Sequence, residues 1–278
     1  MTIPRILAIA GSDSGGGAGI QADIKTITML GGHAMTAITA ITAQNTLGVT
    51  QVMPVPTEMV LAQIDAVASD IGVDAVKIGM IGSAETARAL AERFDPERAR
   101  HEEAPPINMV FDPVMVATSG AVLADAETIA AFHALMGRAT LVTPNVPELE
   151  VLTGTRIATV EELLSAAMSL AKQTGTQILA KGGHLPTDEI FDVHIISGRF
   201  ESYSYGQRPR IETRHSHGTG CTLSSAIATG LGAGLSLVQA IDNAQLYVRA
   251  ALEAAPGLGA GHGPMGHGLG HAYFPPAT

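Results

Sequence analysis

The sequence predicts a single α/β domain over residues 1–278, with a mainly parallel central sheet covered by helices on both faces. Short apolar runs alternate with amphipathic stretches along the whole chain, which is typical of βαβ units. No stretch has the composition of a linker, and no internal repeat is visible. Apolar residues make up 46% of the 278 residues and aromatic residues only 4%. Small aliphatic side chains must therefore build the core.

The apolar runs predict strands, and the residues between them show helical spacing or helix-start signals. The predicted strands cover residues 6–10, 35–43, 75–78, 109–111, 141–143, 178–180, 193–196 and 200–205. Ile20, Ile24 and Ile27 predict the first helix, and further helices are expected after Thr57 and Ser83 and from Asp125. Capping-box pairs start the remaining predicted helices, Thr159 with Glu162 and Ser236 with Gln239. The two strands within 191–205 have no helix between them, so we expect an antiparallel edge there.

Residues 255–278 are rich in Gly, His and Pro, and we expect a loop or tail and not a packed element. His262, His267 and His271 lie in this segment without carboxylate or thiol partners nearby in the sequence. Surface histidines are the preferred interpretation, with a metal site as the alternative.

The charge and the cysteine count restrict the class of protein. A formal net charge of −10 argues against a nucleic-acid partner, because binding to phosphate backbones needs clustered Lys and Arg. Cys221 is the single cysteine, which fits a reducing compartment. The apolar run at residues 6–10 is too short for a signal peptide or a membrane span, so a cytoplasmic protein without a membrane partner is expected.

The segment GSDSGGGAGIQAD follows the first strand and enters a helix, a context that lets a ligand approach bare backbone. Gly17, Gly19 and Ala22 match a dinucleotide fingerprint, but the match begins well past the strand end. The next strand ends in Gln44 and Asn45, where that fingerprint requires an acidic residue. There is no P-loop pattern either. A loop that serves only as a tight turn remains an alternative.

The segment HSHGTGCTLSSAI places Gly218, Thr219 and Gly220 directly before Cys221 and an apolar helix start. Exposed amides at a helix N-terminus attract anions, so this segment predicts a site for a transferring phosphate. The same field lowers the pKa of a thiol, and we expect Cys221 to be close to a thiolate that accepts a proton. A small cysteine that merely packs the helix start is the alternative. A Cys–His hydrolase and a zinc site are disfavoured, because the nearby histidines are sequence neighbours and one cysteine is too few.

Seven blocks occur in an order that resembles the hydroxymethylpyrimidine/phosphomethylpyrimidine kinase family of the ribokinase-like superfamily. The resemblance extends from residue 5 to about residue 273, and the blocks are AGSDSGGGAGIQADIKT, ITAQNT, KIGMIGS, FDPVMVATSG, TPNVPELEVLTG, KGGH and HGTGCTLSSAI. It implies a three-layer αβα sandwich, usually dimeric. It also implies ATP and Mg²⁺ as reactants, with two successive phosphorylations of 4-amino-5-hydroxymethyl-2-methylpyrimidine for thiamine diphosphate biosynthesis.

The resemblance also implies roles for particular residues. The catalytic group would be Cys221 with Gly218, Thr219 and Gly220. The substrate pocket would consist of Gln44, Gly11, Asp23, Met80 and Val114. Lys181, Asn145 and Glu148 would contact ATP or its phosphates, and Asp112, Asn145 and Glu148 would hold Mg²⁺. The chemistry of the Gln44 side chain agrees with its role in the substrate pocket, since a carboxamide can pair with a ring amino group beside a ring nitrogen. Oxygen ligands suit Mg²⁺, although Asn145 and Glu148 also fit a helix cap and Lys181 a solvated strand end.

Two other functions remain open at this point. A pyridoxal kinase would share the Gly-Thr-Gly-Cys segment, and its thiol could capture the aldehyde. A pyrimidine-binding regulator without catalysis is the alternative from a different class. If Cys221 is the base, Cys221→Ala should slow the first phosphorylation far more than the second, because the monophosphate oxygens are already largely ionised.

Overall fold

Eight strands form one sheet in the computed structural model, which describes residues 2–95, 97, 107–116, 120, 123–196 and 203–269. The strands of the chain are β1 (Arg5–Ala10), β2 (His33–Ile38), β3 (Ala40–Asn45), β4 (Gly48–Pro54), β5 (Ala75–Ile78), β6 (Asn108–Phe111), β7 (Leu141–Val142), β8 (Gln177–Ala180), β9 (Glu189–Ile195) and β10 (Tyr203–Pro209). The large sheet has the order β10-β9-β8-β7-β6-β5-β1-β2. The six strands from β8 to β2 in that order run parallel to one another. Strand β9 pairs antiparallel with both of its neighbours, β8 and β10.

Helices cover both faces of this sheet, as the alternating pattern predicts. They are α1 (Gly19–Met29), α2 (Thr57–Asp70), α3 (Ala84–Arg93), α4 (Ala126–Met136), α5 (Val146–Thr153), α6 (Val160–Thr174), α7 (Thr219–Gly232) and α8 (Leu237–Glu253). Strand β1 shows why two layers are needed. Leu7 and Ile9 belong to one core with helices α2–α6, whereas Ile6 and Ala8 belong to a second core with α1, α7 and α8. A strand segment buried on both faces is expected to be apolar, and residues 6–10 of β1 are all apolar and buried. The predicted αβα sandwich is confirmed.

The strand predicted over residues 35–43 is wrong, because the chain leaves the large sheet at Thr39. The amide of Thr39 donates to the carbonyl of Ala10 (3.1 Å), and its hydroxyl donates to the carbonyl of Met80 (2.6 Å). Beyond Thr39 the chain forms β3, which pairs with β4 in a separate two-stranded sheet. Asn45 closes this hairpin by accepting the amides of Leu47 (2.9 Å) and Gly48 (3.2 Å) through its side-chain oxygen.

The antiparallel edge is confirmed, although its strand bounds shift to β9 and β10. Part of the predicted strand 200–205 lies outside the described residues. Glu189 and Pro209 are directly paired at the start of this hairpin, so each strand extends further from the turn than the apolar runs indicate.

The expectation of an unpacked tail is wrong for the part of 255–278 that the structure describes. Met265 and His267 are buried, and the amide of Gly266 donates to the carbonyl of Ala251 (2.8 Å). His267 Nε2 lies 2.9 Å from the hydroxyl oxygen of Thr222, so it is not the surface histidine that composition indicated. Residues 270–278, including His271, lie outside the described part.

Within the described ranges, no helix combines the length and the apolar character that crossing a bilayer requires.

Candidate active site

The carboxyl ends of the parallel strands meet at one edge of the sheet, and a cavity of about 670 Å³ lies there. Ligands bind at this edge in open α/β sheets. Five strands are each followed, within a few residues, by a cavity residue. Gly11, Asp112 and Lys181 come directly after β1, β6 and β8, and Met80 and Asn145 come shortly after β5 and β7. The strand order therefore gathers residues that are far apart in the sequence.

The cavity brings together nearly all of the site residues that the sequence indicates. Those that line it are Gly11, Gln44, Met80, Asp112, Val114, Asn145, Glu148, Lys181, Gly218, Thr219, Gly220 and Cys221. Asp23 differs from this set, because it is fully buried and does not line the cavity.

Asp23 instead forms a buried ion pair in the interior. Both of its carboxylate oxygens lie 2.8 Å from Lys77 Nζ, and the hydroxyl of Ser225 donates to one of them (2.7 Å). Burial alone would lower the pKa of Lys77, but the Asp23 carboxylate reverses that effect and raises it. Asp23 is thus a correction to the predicted pocket lining. The partner lies 54 residues away, and no local pattern reveals it.

Helix α7 begins at the Gly218 segment, whose residues line the cavity. Gly218 has φ of +85°, and a Cβ there would lie 1.9 Å from the carbonyl oxygen of Gly17, so only glycine fits. No side chain caps this helix. Among the described residues, no carbonyl accepts the amides of Gly220 and Cys221. These two donors, at the positive end of the helix dipole, are available to an anion.

The structure overturns the expectation that Cys221 is a thiolate. Burial raises the pKa of Cys221 to about 11, and the charges of Asp23 and Asp112 add to the increase. Lys77 and the amide of Gly19, which donates to the sulfur, act in the opposite direction but do not compensate. The thiol at the head of α7 therefore keeps its proton at neutral pH. The sequence argument considered only the helix field and missed both carboxylates and the burial.

Lys181 and Asp112 form an ion pair against the start of α7. Lys181 Nζ lies 2.7 Å from Asp112 Oδ1, which also accepts the hydroxyl of Thr143 (3.1 Å). The Lys181 side chain is only 14% exposed, so the alternative of a solvated strand-end lysine is wrong. Burial alone would lower its pKa, but the carboxylates of Asp112 and Glu148 raise it. A Cβ at Gly220 would lie within 3.2 Å of Lys181 Nζ, so the lysine charge lies beside the free amides.

Asn145 and Glu148 form the helix cap that the sequence allowed, while also lining the cavity. The amide of Glu148 donates to Asn145 Oδ1 (2.9 Å), and the amide of Asn145 donates to Glu148 Oε2 (2.8 Å). Burial raises the pKa of Glu148 to about 8, and Asp112 adds to the increase while Lys181 opposes it. A cation bound beside Glu148 would stabilise the ionised form of this carboxyl group.

Sequence reasoning missed two residues that line the cavity, Asp13 and His217. His217 Nε2 lies 3.0 Å from Asp13 Oδ2 and 3.1 Å from the carboxamide of Gln44. Asp13 and His217 lie in the two glycine-rich segments described above, and that location is the one feature of the sequence that indicates a role for them. Within the described ranges, no three His, Cys, Asp or Glu side chains converge as they would around a metal ion held by protein alone.

The sequence pattern of the phosphomethylpyrimidine kinase family matches residues 13–266. A hydroxymethylpyrimidine/phosphomethylpyrimidine kinase from Bacillus subtilis (strain 168) is 44% identical over 270 residues, which cover 96% of each chain. The thiamine biosynthesis bifunctional protein ThiED of Geobacter sulfurreducens is 46% identical over 263 residues. That match covers 94% of this chain but 52% of the relative, so the chain spans about half of that protein.

Among solved structures, an ADP complex of Bacillus subtilis pyridoxal kinase is similar, with a TM-score of 0.84 and 31% identity. The match covers 96% of this chain and 98% of that one.

Proposed function

Because the chain belongs to the phosphomethylpyrimidine kinase family, we propose that it phosphorylates 4-amino-5-hydroxymethyl-2-methylpyrimidine and then its monophosphate with ATP, for thiamine diphosphate biosynthesis. One observation carries the proposal. One cavity contains both a carboxamide that can read a ring, which we call its ring end, and two free helix amides beside a lysine, which we call its phosphate end.

The ring end consists of Gln44 with Gly11, Met80 and Val114. The carboxamide of Gln44 offers one donor and one acceptor side by side, as the ring amino group and its neighbouring nitrogen require. The close approach of Met80 to Gly11 supports a narrow slot, since a Cβ at Gly11 would lie 2.9 Å from the Met80 sulfur.

The phosphate end consists of the first turn of α7 and Lys181. The amides of Gly220 and Cys221 and the Lys181 ammonium group would bind the phosphoryl oxygens and stabilise the charge of the transition state. Phosphoryl transfer depends on such positioning and electrostatic stabilisation more than on covalent chemistry.

Asp112 and Glu148, with the Asn145 side chain beside them, fit a Mg²⁺ ion that also binds substrate phosphates. Mg²⁺ commonly takes one or two protein carboxylates and completes its shell with phosphate and water, so a full protein cage is not needed. The raised pKa of Glu148 supports this fit, because a buried carboxyl group beside a second carboxylate favours a cation. When bound, the ion would neutralise phosphate charge.

Cys221 lines the cavity in the first turn of α7, and we propose that it accepts the hydroxyl proton in the first phosphorylation. Because the pKa of Cys221 is about 11, only the small ionised fraction could act as base. The first phosphorylation should therefore accelerate with increasing pH, whereas the second, whose acceptor is already ionised, should depend on Cys221 much less.

A substrate screen with ATP and Mg²⁺ tests the function directly. We expect turnover on the hydroxymethylpyrimidine and on its monophosphate, and weak turnover on pyridoxal, because Gln44 suits the aminopyrimidine. Preferred turnover on pyridoxal would instead support a pyridoxal kinase. Ligand binding without ADP release would support the non-catalytic regulator.

We further propose a homodimer that works in the cytoplasm. The β3–β4 hairpin carries exposed apolar side chains at Ile41, Val52 and Met53, and a second copy of the chain is the occupant that we infer. A free cysteine suits a reducing compartment. Light scattering after size-exclusion chromatography should give twice the chain mass, and Met53→Lys should shift it to the monomer.

A further inference from the structure

His217 connects the two glycine-rich segments and contacts Gln44, the residue proposed to bind the substrate ring. Its Nε2 atom lies 3.0 Å from Asp13 Oδ2 and 3.1 Å from Gln44 Nε2. His217 and Asp13 are both buried, with 7% and 2% of their surface exposed. The contacts among these three side chains therefore have to match in donor and acceptor character.

Asp13 determines which atom carries the proton. Its carboxylate accepts the backbone amides of Gly15 (2.8 Å), Gly17 (2.9 Å) and Ala18 (2.8 Å). Burial acts to raise the pKa of Asp13, but the hydrogen bonds from His217 and these amides outweigh it and hold the pKa below its usual value. An ionised carboxylate can only accept, so His217 Nε2 must carry a hydrogen.

The hydrogen on His217 Nε2 fixes the orientation of the Gln44 carboxamide. An N–H group cannot accept from the Gln44 NH₂ group, so the carboxamide atom that faces His217 must be the carbonyl oxygen. A half-turn about the Cγ–Cδ bond of Gln44 exchanges its oxygen and nitrogen and gives this arrangement with the same positions occupied.

Thr42 requires the same orientation independently. Its hydroxyl donates to the carbonyl of Ser12 (2.8 Å), so it presents only lone pairs to the other end of the Gln44 carboxamide, 3.5 Å away. Lone pairs match the NH₂ group and not the oxygen. A donor on one side and an acceptor on the other thus hold the carboxamide in one of its two orientations.

We propose that His217, held by Asp13, is a specificity-determining residue that fixes the Gln44 carboxamide with its oxygen toward His217 and its NH₂ group toward Thr42. This inference rests on the proposed function. The fixed carboxamide accepts from a ring amino group through the second lone pair of its oxygen and donates to an adjacent unprotonated ring nitrogen. A ring with an oxo group beside a ring N–H presents the opposite pattern and is rejected.

A carboxamide free to rotate could read both rings, because a half-turn adapts it to the oxo pattern. The amino pyrimidine and its deaminated 4-oxo analogue therefore separate a fixed from a free Gln44. Loss of His217 should therefore reduce the amino-over-oxo preference in kcat/KM by roughly 5- to 150-fold, which is the discrimination that a matched bidentate pair provides.

The test compares both compounds in the wild type, in His217→Ala and in His215→Ala. His215 lies on the same segment but does not line the cavity, so its variant controls for a disturbed loop. We expect the preference to fall in His217→Ala alone. An unchanged preference in His217→Ala, or an equal fall in both variants, overturns the inference. If the wild type phosphorylates neither compound, the proposed function fails, and the measurement below then decides the His217 inference.

The proton position can be measured in the unmodified protein, which also covers the case that His217→Ala does not fold. Long-range ¹H–¹⁵N correlation spectra distinguish a protonated from an unprotonated imidazole nitrogen. We expect Nε2 of His217 to carry a hydrogen at neutral pH. An unprotonated Nε2 overturns the inference, because it would accept from the Gln44 NH₂ group and favour the opposite orientation.

Discussion

Replacing Cys221 by alanine tests the proposed proton transfer, and the structure gives the expected magnitude. The pKa of the Cys221 thiol is about 11, which is about four units above neutral pH. Ionising it at pH 7 costs about 5 kcal/mol at 1.36 kcal/mol per unit, and about one molecule in ten thousand is a thiolate. The first phosphorylation of the wild type should therefore accelerate roughly tenfold per pH unit between pH 7 and 9, if proton transfer limits the rate.

Single-turnover assays with rapid quenching measure the two phosphorylations separately, starting from the alcohol or from the monophosphate. General-base catalysis contributes about 10²–10⁴-fold, so Cys221→Ala should slow the first reaction by about that factor and remove its pH dependence. The second reaction should change much less. Ser224→Ala serves as the control, since Ser224 bonds to the carbonyls of Gly220 and Cys221 from within the helix and does not line the cavity.

Two results would refute the reasoning. One is an equal loss in both reactions, which would mean that the thiol only supports the shape of the site. The other is a pH-independent first reaction in the wild type, measured under conditions in which chemistry limits the rate.

Three further predictions concern stability. Lys77→Met leaves the buried carboxylate of Asp23 without its cation and should lower the free energy of unfolding by about 3–5 kcal/mol. Arg88→Met breaks an exposed ion pair and should cost less than about 1 kcal/mol. Chemical denaturation measures both free energies, and equal losses would show that burial of the pair does not matter. Gly218→Ala should destabilise more than Gly234→Ala in thermal unfolding, because both glycines have φ near +85° but only the first would place a Cβ against a backbone oxygen. Burial lowers the pKa of His267 to about 4, below its unfolded value of about 6.5, so the unfolded chain binds the proton first and stability falls as pH decreases from about 6.5 to 4, by about 3 kcal/mol in total. His267→Gln should flatten that decrease, and an unchanged slope would show that this imidazole is not involved.

The sequence predicted the layers of the fold because strands buried on both faces are mostly apolar. Residues 6–10 of β1 form such an apolar run, and all of them are buried. The capping boxes at Thr159 and Ser236 were also predictable, since each is a local interaction between residues three positions apart.

The hairpin β3–β4 could not be predicted in the same way. The apolar and Thr-rich run 35–43 continues through Thr39 without a turn signal, and only tertiary hydrogen bonds to Ala10 and Met80 end β2 there. Strand β4 is largely exposed and has no buried face to produce a strong pattern.

At the site, the sequence identified residues whose motifs are local and failed where distant charges decide. The free amides of α7 follow from Gly-Thr-Gly alone. The ionisation of Cys221 depends on Asp23, Asp112 and burial, which a local pattern does not contain. Likewise, the pairing of Asp13 with His217 joins residues 204 positions apart.

That separation has a consequence for biosynthesis. The ribosome makes Asp13 204 residues before His217, and the buried residues Met265 and His267 follow His217. The contact of His217 with Asp13 and Gln44 cannot form until residue 217 has left the ribosome, and contacts between such distant residues form slowly. Chains that stop before His217 should therefore be unable to orient Gln44, even when most of the sheet has already folded.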